Sequence, residues 1–419
     1  MKFNLNHTLT MKRKIFFIPI LVTLALFSCK KDDPTPNLTP KEITLTAKST
    51  QVIASSNAFG IDLFTKTTEG ENENLMLSPL SATTALTMLL NGCGGNTYTQ
   101  LKATLGYPDD LTINEVNEAY KGLVGQLLSA DPKVKMALAN SIFYRTGFEV
   151  KAPFLSTMHN EFNAHIQGLD FGSPSALTTI NGWASSNTFG KIPEVLTEIS
   201  GDAVMFLMNA LYFKGDWSYQ FDKSLTHDSP FYFDNGTSAN VNTMQGEVGA
   251  RFAYGDNYSA IELPYGRTNF TMILIVPSET LANFYNGFSN ETWESITSSL
   301  DGYPEFGTAE VYMPKFKFSY EKVLNDQLKS MGMVDAFEPF LADLSGIADA
   351  SIYVDFVKQN TFVDVNEEGT EAAAVTTIGI DYTASPGPKI FKVDKPFVFA
   401  IRERTTNTLM FIGQVTDPR

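Results

Sequence analysis

Side chains that could carry out catalysis are sparse in this sequence of 419 residues. The histidines are His7, His159, His165 and His227, and the cysteines are Cys29 and Cys93. None of them stands in a metalloprotease, nucleophile-elbow, dinucleotide-binding or paired-cysteine metal motif. The glycine-rich run 92–95 lacks the lysine and the spacing of a phosphate-binding loop, and its expected role is to end a helix. The sequence therefore predicts no catalytic residues, no metal and no cofactor.

Composition and charge narrow the classes of function further. The chain is 43% hydrophobic and 18% charged, which is typical of a globular protein, and its formal net charge is −15 at pH 7. No basic stripe runs along it, so a nucleic-acid partner is not expected. Cys29 is assigned below to another role, which leaves Cys93 without a partner, and the fold is expected to lack disulfides.

One stretch near the C-terminus, residues 366–383, can be interpreted in two ways. Its small residues and Gly369 are typical of an exposed loop. A period of two, however, sorts its residues onto two faces, as in a strand with one buried face. One face carries Thr370, Ala372, Ala374, Thr376, Ile378 and Ile380. The other face carries Glu371, Ala373, Val375, Thr377, Gly379 and Asp381, and so both charges.

The same stretch closely resembles a known hinge. Residues 365–374, VNEEGTEAAA, are similar to the reactive-loop hinge of the serpins, the serine-protease-inhibitor superfamily. The hinge residues are Glu367, Glu368, Gly369, Thr370, Glu371, Ala372, Ala373 and Ala374. Further family motifs, most specifically the block 209–217 (NALYFKGDW), follow in the family's order over residues 48–418.

The resemblance implies both a fold and a mechanism. The fold is α+β, with a large and mostly antiparallel central sheet A, further sheets B and C, surrounding helices and an exposed reactive-centre loop. A protease attacks one bond of the loop, its nucleophile forms an acyl-enzyme, and the cut loop inserts into sheet A and carries the protease with it. The chain would thus be a monomeric inhibitor, not an enzyme, and its partners would be target proteases held covalently. A surface binding or chaperone protein that uses the same fold without trapping is the alternative, and the intact hinge favours inhibition.

The expected reactive bond joins Thr383 and Ala384. The family spacing from Gly369 places the residue before the cut at Thr383. Counting back from the Lys-Pro pair at 395–396 gives Ser385 instead, so the loop is longer than the family pattern.

Tyr382 and Ile380 are the alternative residues before the cut. Small and apolar residues at these positions suit elastase-, subtilisin- and chymotrypsin-like serine proteases, and Tyr382 would also suit papain-like cysteine proteases. No Arg or Lys lies between Gly369 and Pro388, which disfavours trypsin-like targets.

The resemblance also implies a polar cluster that controls the opening of sheet A. Its members are Asn74, Ser78, Ser81, Asn181, Gln359 and Trp217. Two of them have ordinary structural explanations, since Ser78 can cap a helix that runs from Pro79 to Asn91 and Trp217 can pack in the core. Gln359 stands where the family usually has a histidine. Its amide can both donate and accept, but it cannot gain a charge, so no pH dependence is expected from this position.

The N-terminus is predicted to be an export signal that ends in a lipid anchor. A basic run, 12–14, precedes an apolar run, 15–27, that is too short for a comfortable membrane span. Residues 26–29, LFSC, resemble a bacterial lipobox, in which the cysteine, here Cys29, is acylated. A cleaved signal with an incidental cysteine is the alternative.

These assignments predict three parts of the chain. Residues 1–28 form the lipoprotein signal peptide, 29–45 a lipidated tether rich in Pro and Thr, and 46–419 the serpin domain. The run 30–33, KKDD, resembles surface-export signals of Bacteroidetes lipoproteins. We therefore expect a lipid anchor that holds the protein to the bacterial outer membrane or cell surface, on its periplasmic or extracellular side.

Overall fold

The computed structural model describes residues 38–370 and 389–419, together with Met1 and Phe3. The chain divides into two compact units, Met1–Pro36 and Asn37–Arg419, and all elements given below belong to the second. The predicted signal peptide, Cys29 and the loop positions from Glu371 onward lie outside the described residues, so the predictions made for them stay predictions.

Six of the nine described α-helices begin after a side chain that caps them, and α3, α5 and α9 do not. The described helices are α1 (Ala47–Thr68), α2 (Pro79–Leu90), α3 (Gly95–Thr104), α4 (Ile113–Leu127), α5 (Ala152–Phe162), α6 (Pro174–Asn187), α7 (Leu281–Tyr285), α8 (Asn290–Asp301) and α9 (Asn325–Ser330). Ser78 caps α2 by accepting from the backbone N–H of Ser81 at 3.2 Å, and Pro79 holds the first helical position, as predicted. No helix in the described part of the chain has the length and apolar character that a membrane span requires.

The described strands contain the most completely buried segments of the core. They are β1 (Leu75–Leu77), β2 (Val134–Arg145), β3 (His165–Leu169), β4 (Met205–Asp216), β5 (His227–Tyr232), β6 (Ser238–Tyr254), β7 (Tyr258–Pro264), β8 (Phe270–Pro277), β9 (Gly307–Pro314), β10 (Phe316–Val323), β11 (Lys358–Asn366), β12 (Gly369–Thr370), β13 (Lys389–Lys392), β14 (Phe397–Glu403) and β15 (Thr408–Val415). Every residue of β8, β14 and β15 is buried, so these three strands form the centre of the core.

Two sheets are built from these strands. Within the described residues, the six-stranded sheet has the order β10-β11-β12-β4-β2-β3, and all its neighbours are antiparallel except β2 and β3. This is the large, mostly antiparallel sheet that the sequence predicts. The other nine strands follow one hydrogen-bonded path, β1-β15-β14-β8-β7-β6-β9-β13, with β5 beside β6. The two smaller sheets expected from the resemblance are joined here, because β6 pairs with β9 along one part and with β7 at its end.

Helix α2 lies between the two sheets and contacts both of them. It packs against both β4 of the six-stranded sheet and β15 of the nine-stranded sheet. Its buried side chains include Leu86 and Leu89. The capped N-terminus of α2 therefore lies where the two sheets meet.

The segment 38–45, which the sequence assigns to the tether, is bound to the body. The side-chain amide of Asn269 accepts from the backbone N–H of Lys41 at 2.7 Å and donates to its carbonyl at 2.8 Å. Gln126 holds the backbone of Thr44 in the same way, at 2.9 and 3.0 Å. Ile43 is buried against the core. In 38–45 both amides bind backbone groups, which every sequence offers, so these hydrogen bonds cannot be inferred from the side chains of the segment.

A buried ion network links β7, β14 and α8. Arg402 is fully buried and donates to Glu262 at 2.7 and 3.1 Å and to Asp301 at 2.8 and 3.0 Å. Glu262 is also fully buried and accepts from Thr271 at 2.8 Å. Buried charges of this kind stabilise a fold only as a complete set, because removing one partner leaves the other uncompensated.

We expect Arg402→Met to lower the free energy of unfolding by about 3–5 kcal/mol, since it strands the Glu262 carboxylate in the core. Denaturant unfolding followed by intrinsic fluorescence measures the loss. The double variant Arg402→Met/Glu262→Met is the control and should recover part of the stability, because the Glu262 carboxylate is then removed together with its hydrogen-bonding partner, although Arg251, buried 3.7 Å from Glu262, loses its counter-ion. A double variant as unstable as the single one would show that lost packing, not charge, accounts for the effect.

Candidate functional site

The hinge begins inside the six-stranded sheet. Gly369 and Thr370 form β12 and pair with Asp216 and Gly215 of β4 on one side and with the end of β11 on the other. Gly369 has φ 153°, and a Cβ at this position would overlap the carbonyl oxygen of Gly215 and lie 2.8 Å from Cα of Asp216. Only glycine allows this close approach of two backbones.

Thr370 is already buried at the top of the gap between β4 and β11. It is 4% exposed, and its hydroxyl lies 2.6 Å from the phenol oxygen of Tyr265. The resemblance implies that this side chain enters the sheet only after the loop is cut, so its burial here is a correction. The physical reason is Tyr265, which reaches Thr370 from the turn between β7 and β8 and gives its hydroxyl a partner in the core.

Trp217 holds the turn that leads into β12. Its indole N–H donates to the carbonyl of Asn366 at 2.9 Å, and its backbone N–H donates to the carbonyl of Glu368 at 2.9 Å. Its ring stacks on Tyr265 with centroids 4.3 Å apart and planes 9° from parallel. Trp217 therefore has both of the roles considered for it from the sequence: it packs in the core and it contacts the hinge.

Two acidic residues attach the base of the hinge to neighbouring segments. Glu367 accepts from the hydroxyl of Thr226 at 2.7 Å and lies 3.0 Å from the ammonium of Lys315. Burial alone would raise the pKa of Glu367, but hydrogen bonds from the backbone and Thr226 and the charge of Lys315 outweigh it and lower the pKa. Glu368 forms an ion pair with Lys223. The carboxylate of Glu367 therefore stays charged at neutral pH and tied to both partners.

Ser78 and Gln359 form a second group lower in the same sheet. The side-chain amide of Gln359 donates to the carbonyl of Ser78 at 2.8 Å and accepts from its N–H at 3.1 Å. The hydroxyl of Ser78 donates to the carbonyl of Met410 at 2.8 Å, and the N–H of Ser81 donates back to that hydroxyl. Glutamine thus uses both functions of its amide, and these contacts tie β11, α2 and β15 together without a titratable group.

Asn74 and Asn181 lie apart from this group. Asn74 accepts from the N–H groups of Thr416 and Asp417 at 2.7 and 3.0 Å and donates to the carbonyl of Asp417 at 2.6 Å. Asn181 accepts from the N–H groups of Val195 and Leu196 at 2.9 and 3.0 Å. The structure therefore does not bring them together with Ser78: Asn74 fixes the C-terminus and Asn181 fixes the chain after α6. The resemblance implied that Asn74 belongs with Ser78, but the two side chains bond to different partners, Asn74 to Thr416 and Asp417 and Ser78 to Met410.

A cleft continues below Thr370 between β4 and β11. Within the described residues these two strands pair with β12 and with their outer neighbours, but not with each other. A cavity of about 470 Å³ lies along them, lined by residues 205–211 of β4, 358–361 of β11 and the facing side of α2. The cleft is wide enough at its top to hold a strand, because β12 occupies it there.

Two residues of the site are missed by the reasoning from sequence. No sequence pattern indicated a role for Tyr265, because its partner, Thr370, is distant in the chain. Asn209 opens the recognised block 209–217, and alternation along β4 places it on the inward side with Leu211 and Phe213. Its amide donates to Asn140 at 2.6 Å, while its buried carbonyl oxygen has no hydrogen-bond partner among the described residues. An acceptor of this kind beside a cavity is unusual in a native core.

Several predicted site residues cannot be placed. The hinge positions Glu371, Ala372, Ala373 and Ala374, the reactive-bond positions Thr383 and Ala384, their alternatives Tyr382 and Ile380, and the lipidation site Cys29 lie outside the described residues. No cluster of three or more metal-ligating side chains is found within the part of the chain that the structure describes.

Comparison with known proteins gives consistent matches. A family model described as serpin (serine protease inhibitor) matches residues 54–418. An uncharacterised serpin-like protein of Methanosarcina mazei is 31% identical, over 97% of this chain and 98% of its own length. The leukocyte elastase inhibitor of Xenopus tropicalis is 32% identical, over 86% of this chain and 97% of its own length.

A solved structure agrees with these matches. The thermophilic serpin tengpin, in its native state, superposes with a TM-score of 0.79 at 30% identity and covers 90% of this chain and 96% of its own. The family match covers the hinge, both sheets and the cleft between β4 and β11. This chain belongs to the serpin family.

Proposed function

We propose that this protein inhibits proteases as a suicide substrate and traps them by inserting its cut loop between β4 and β11. The observation that carries the proposal is β12, a two-residue strand that already occupies the top of the cleft and fixes its register. Relatives whose names state inhibition, such as the leukocyte elastase inhibitor, support the same function.

The register of β12 explains the composition of the hinge. If pairing continues from Thr370 with Gly215 and Val365, Ala372 comes to lie beside Phe213 and Val363. In the same register Ala374 comes to lie beside Leu211 and Thr361, and both flanking pairs are inward-facing. Phe213 and Leu211 on the β4 side are large and buried, so small side chains between the strands pack best, which fits the alanines of the hinge.

The same register gives the unpartnered acceptor a role. Thr376 would come to lie between Asn209 of β4 and Gln359 of β11. Its hydroxyl can donate to the free carbonyl oxygen of Asn209 and so satisfy the buried acceptor.

The free energy of the protein is expected to fall when the loop, freed by cleavage, inserts into the sheet. About ten new ladder hydrogen bonds, each contributing about 0.5–1.5 kcal/mol net, would rival the roughly 5–15 kcal/mol that holds a typical domain together. The uncut protein is therefore expected to be metastable, and the acyl-enzyme is trapped if insertion is faster than its hydrolysis.

A panel of serine and cysteine proteases tests the function. We expect a covalent complex that survives a denaturing gel with an elastase-, subtilisin-, chymotrypsin- or papain-like protease, and not with trypsin. Mass spectrometry of the released C-terminal fragment should show that it begins at Ala384. A fragment that begins outside residues 381–386 while the protease is inhibited would contradict the register from Gly369.

The alternative, a binding or chaperone protein with the same fold, makes a different prediction for heat resistance. Cutting the loop of an inhibitor should raise its unfolding temperature greatly, because the inserted strand completes the sheet. A protein that does not insert its loop should unfold at the same temperature before and after cutting.

We expect Thr370→Arg to convert the inhibitor into a substrate that is cut and released. The guanidinium cannot occupy the buried position beside Tyr265 without leaving water, and an unpaired buried charge costs several kcal/mol. Insertion of the loop is then slower than hydrolysis of the acyl-enzyme, so the protease is released. The ratio of covalent complex to cut inhibitor on a gel measures the effect.

Glu371→Arg is the matched control for Thr370→Arg, because the alternation predicts that position 371 faces outward. It should inhibit almost as the wild type does. Complex formation by Thr370→Arg at wild-type stoichiometry, or equal failure of both variants, would show that the assignment of inward and outward faces is wrong. Since Thr370 is buried before the cut, the uncut Thr370→Arg protein should also lose the pairing of β12.

Lipidation of Cys29 is proposed from the lipobox-like sequence before it. Two or more acyl chains would anchor the protein to a membrane, where a single chain would be marginal. We expect wild-type protein expressed in a bacterium with lipoprotein processing to enter the detergent phase and Cys29→Ala to leave it. Equal detergent partitioning of the two proteins would rule the anchor out.

A further inference from the structure

A short segment after α6, residues 188–192, contacts both edges of the cleft and is called here the clasp. The ring of Phe189 packs on the ring of Tyr212 of β4, with centroids 4.6 Å apart. Two residues later, the ammonium of Lys191 lies 4.9 Å from the ring centroid of Phe362 of β11. Alternation along the two strands places Tyr212 and Phe362 on the outward face of the sheet. The clasp therefore bridges the cleft on its outward side.

The backbone at Phe189 shows that its ring contacts offset a cost. Phe189 has φ 51°, in the left-handed region that a bulky side chain rarely occupies, and the N–H of Gly190 closes this turn by donating to the carbonyl of Ser185 at 2.8 Å. Phe189 remains 47% exposed, so burial alone does not explain a phenylalanine here. Its ring packs on Tyr212 and lies, at its centroid, 3.5 Å from the ammonium of Lys135 of β2. These two contacts hold the strained residue in place.

The clasp lies next to Thr370, where a longer hinge strand would enter. Thr370 and the clasp residues 188, 191 and 192 line one small hollow of about 20 Å³. In the register of β12, residue Ala373 would come to lie between Tyr212 and Phe362. Both of these rings already contact the clasp. A strand that extends β12 must therefore pass beneath the clasp before Ala373 can pair.

The position of the clasp also explains why the outward face of the loop becomes small and apolar. This face begins with Glu371 and continues with Ala373 and Val375. Outward residues that met only water would have no need to lose their polar groups after the first position. Beneath Phe189 and Lys191, by contrast, a charged or long side chain would have to leave water or force the clasp away.

We propose that the clasp controls the entry of a strand into the cleft, and that the contact between Phe189 and Tyr212 sets the rate of its opening. The proposal rests on the inhibitory function proposed above and deepens it, because a protease is trapped only if the loop enters before the acyl-enzyme is hydrolysed. A loose clasp would let the hinge of the uncut protein advance, and a tight one would release the protease. Phe189 is thus a positioning residue that acts through Tyr212.

Uptake of a loop peptide by the uncut full chain tests the clasp without any protease. The probe is a fluorescently labelled peptide with the sequence of residues 371–380, and fluorescence polarisation follows its binding. We expect Phe189→Asn to take up the peptide about tenfold faster than the wild type, because asparagine tolerates the left-handed turn but removes both ring contacts. Tyr212→Ala should accelerate uptake similarly, and the double variant no more than either single one, since both changes break the same contact.

Phe189→Tyr is the matched control, because it keeps an aromatic ring at this position, and it should take up the peptide at the wild-type rate. An unchanged rate in Phe189→Asn, equal acceleration by Phe189→Tyr, or additive acceleration in the double variant would overturn the proposal. Phe189→Asn should also unfold at the wild-type denaturant concentration or above it, because the strain at φ 51° is relieved. A clearly lower midpoint would mean that the whole fold is loosened, which overturns the clasp as well.

Peptide uptake and the protease panel together separate the clasp from the inhibitory function. If the wild type traps no protease but Phe189→Asn accelerates peptide uptake as expected, the clasp stands and the inhibitory function falls. If the wild type traps a protease and Phe189→Asn leaves uptake unchanged, the clasp alone falls. If neither the wild type nor any variant takes up the peptide, the cleft does not admit a strand, and the clasp is overturned.

Discussion

The close approach of Gly369 to the backbone of Gly215 decides where the hinge joins the central sheet. No side chain fits there, so Thr370 can pair with β4 only because a glycine precedes it. Trp217, stacked on Tyr265, secures the turn before it through two hydrogen bonds to the backbone. Because side chains of a strand alternate between faces, fixing one position fixes the facing of every later residue that pairs in the same register.

The six-stranded sheet is consequently built around a cleft. Below Thr370, the described residues of β4 and β11 do not pair with each other, although buried backbone groups need partners. Polar side chains line the cleft at one level, where Gln359 bonds to Ser78 and Asn209 keeps one free acceptor. A strand with small inward side chains and one hydroxyl satisfies both the backbone and this acceptor. Residues 372–376 of the loop have that composition, with Ala372, Ala374 and Thr376 on the face predicted to point inward.

Much of this arrangement could be predicted from the sequence, and what could not depends on distant contacts. Alternation along 370–380 predicts the inward face, and the Ser-Pro pair at 78–79 predicts the start of α2. Burial of Thr370 before any cut could not be predicted, because it depends on Tyr265 in the distant turn between β7 and β8. The docking of 38–45 could not be predicted either, because the hydrogen bonds from Asn269 and Gln126 go to its backbone, which is the same for every sequence. The alternation of residue types predicts which face of a strand a side chain lies on, whereas the fold decides which distant residues that side chain contacts.

In the proposed mechanism the uncut loop is restrained at its far end by β13. The loop runs from Thr370, at the top of the cleft, to Lys389, which is paired with β9. Each residue that inserts shortens the remaining loop, so deep insertion without a cut would have to pull β13 off its sheet. Phe391 and Val393 are buried, and exposing a side chain of that size costs about 1.5–3 kcal/mol, in addition to the lost pairing. The base of the hinge can therefore be preformed without completing insertion, since only cleavage frees the loop from β13.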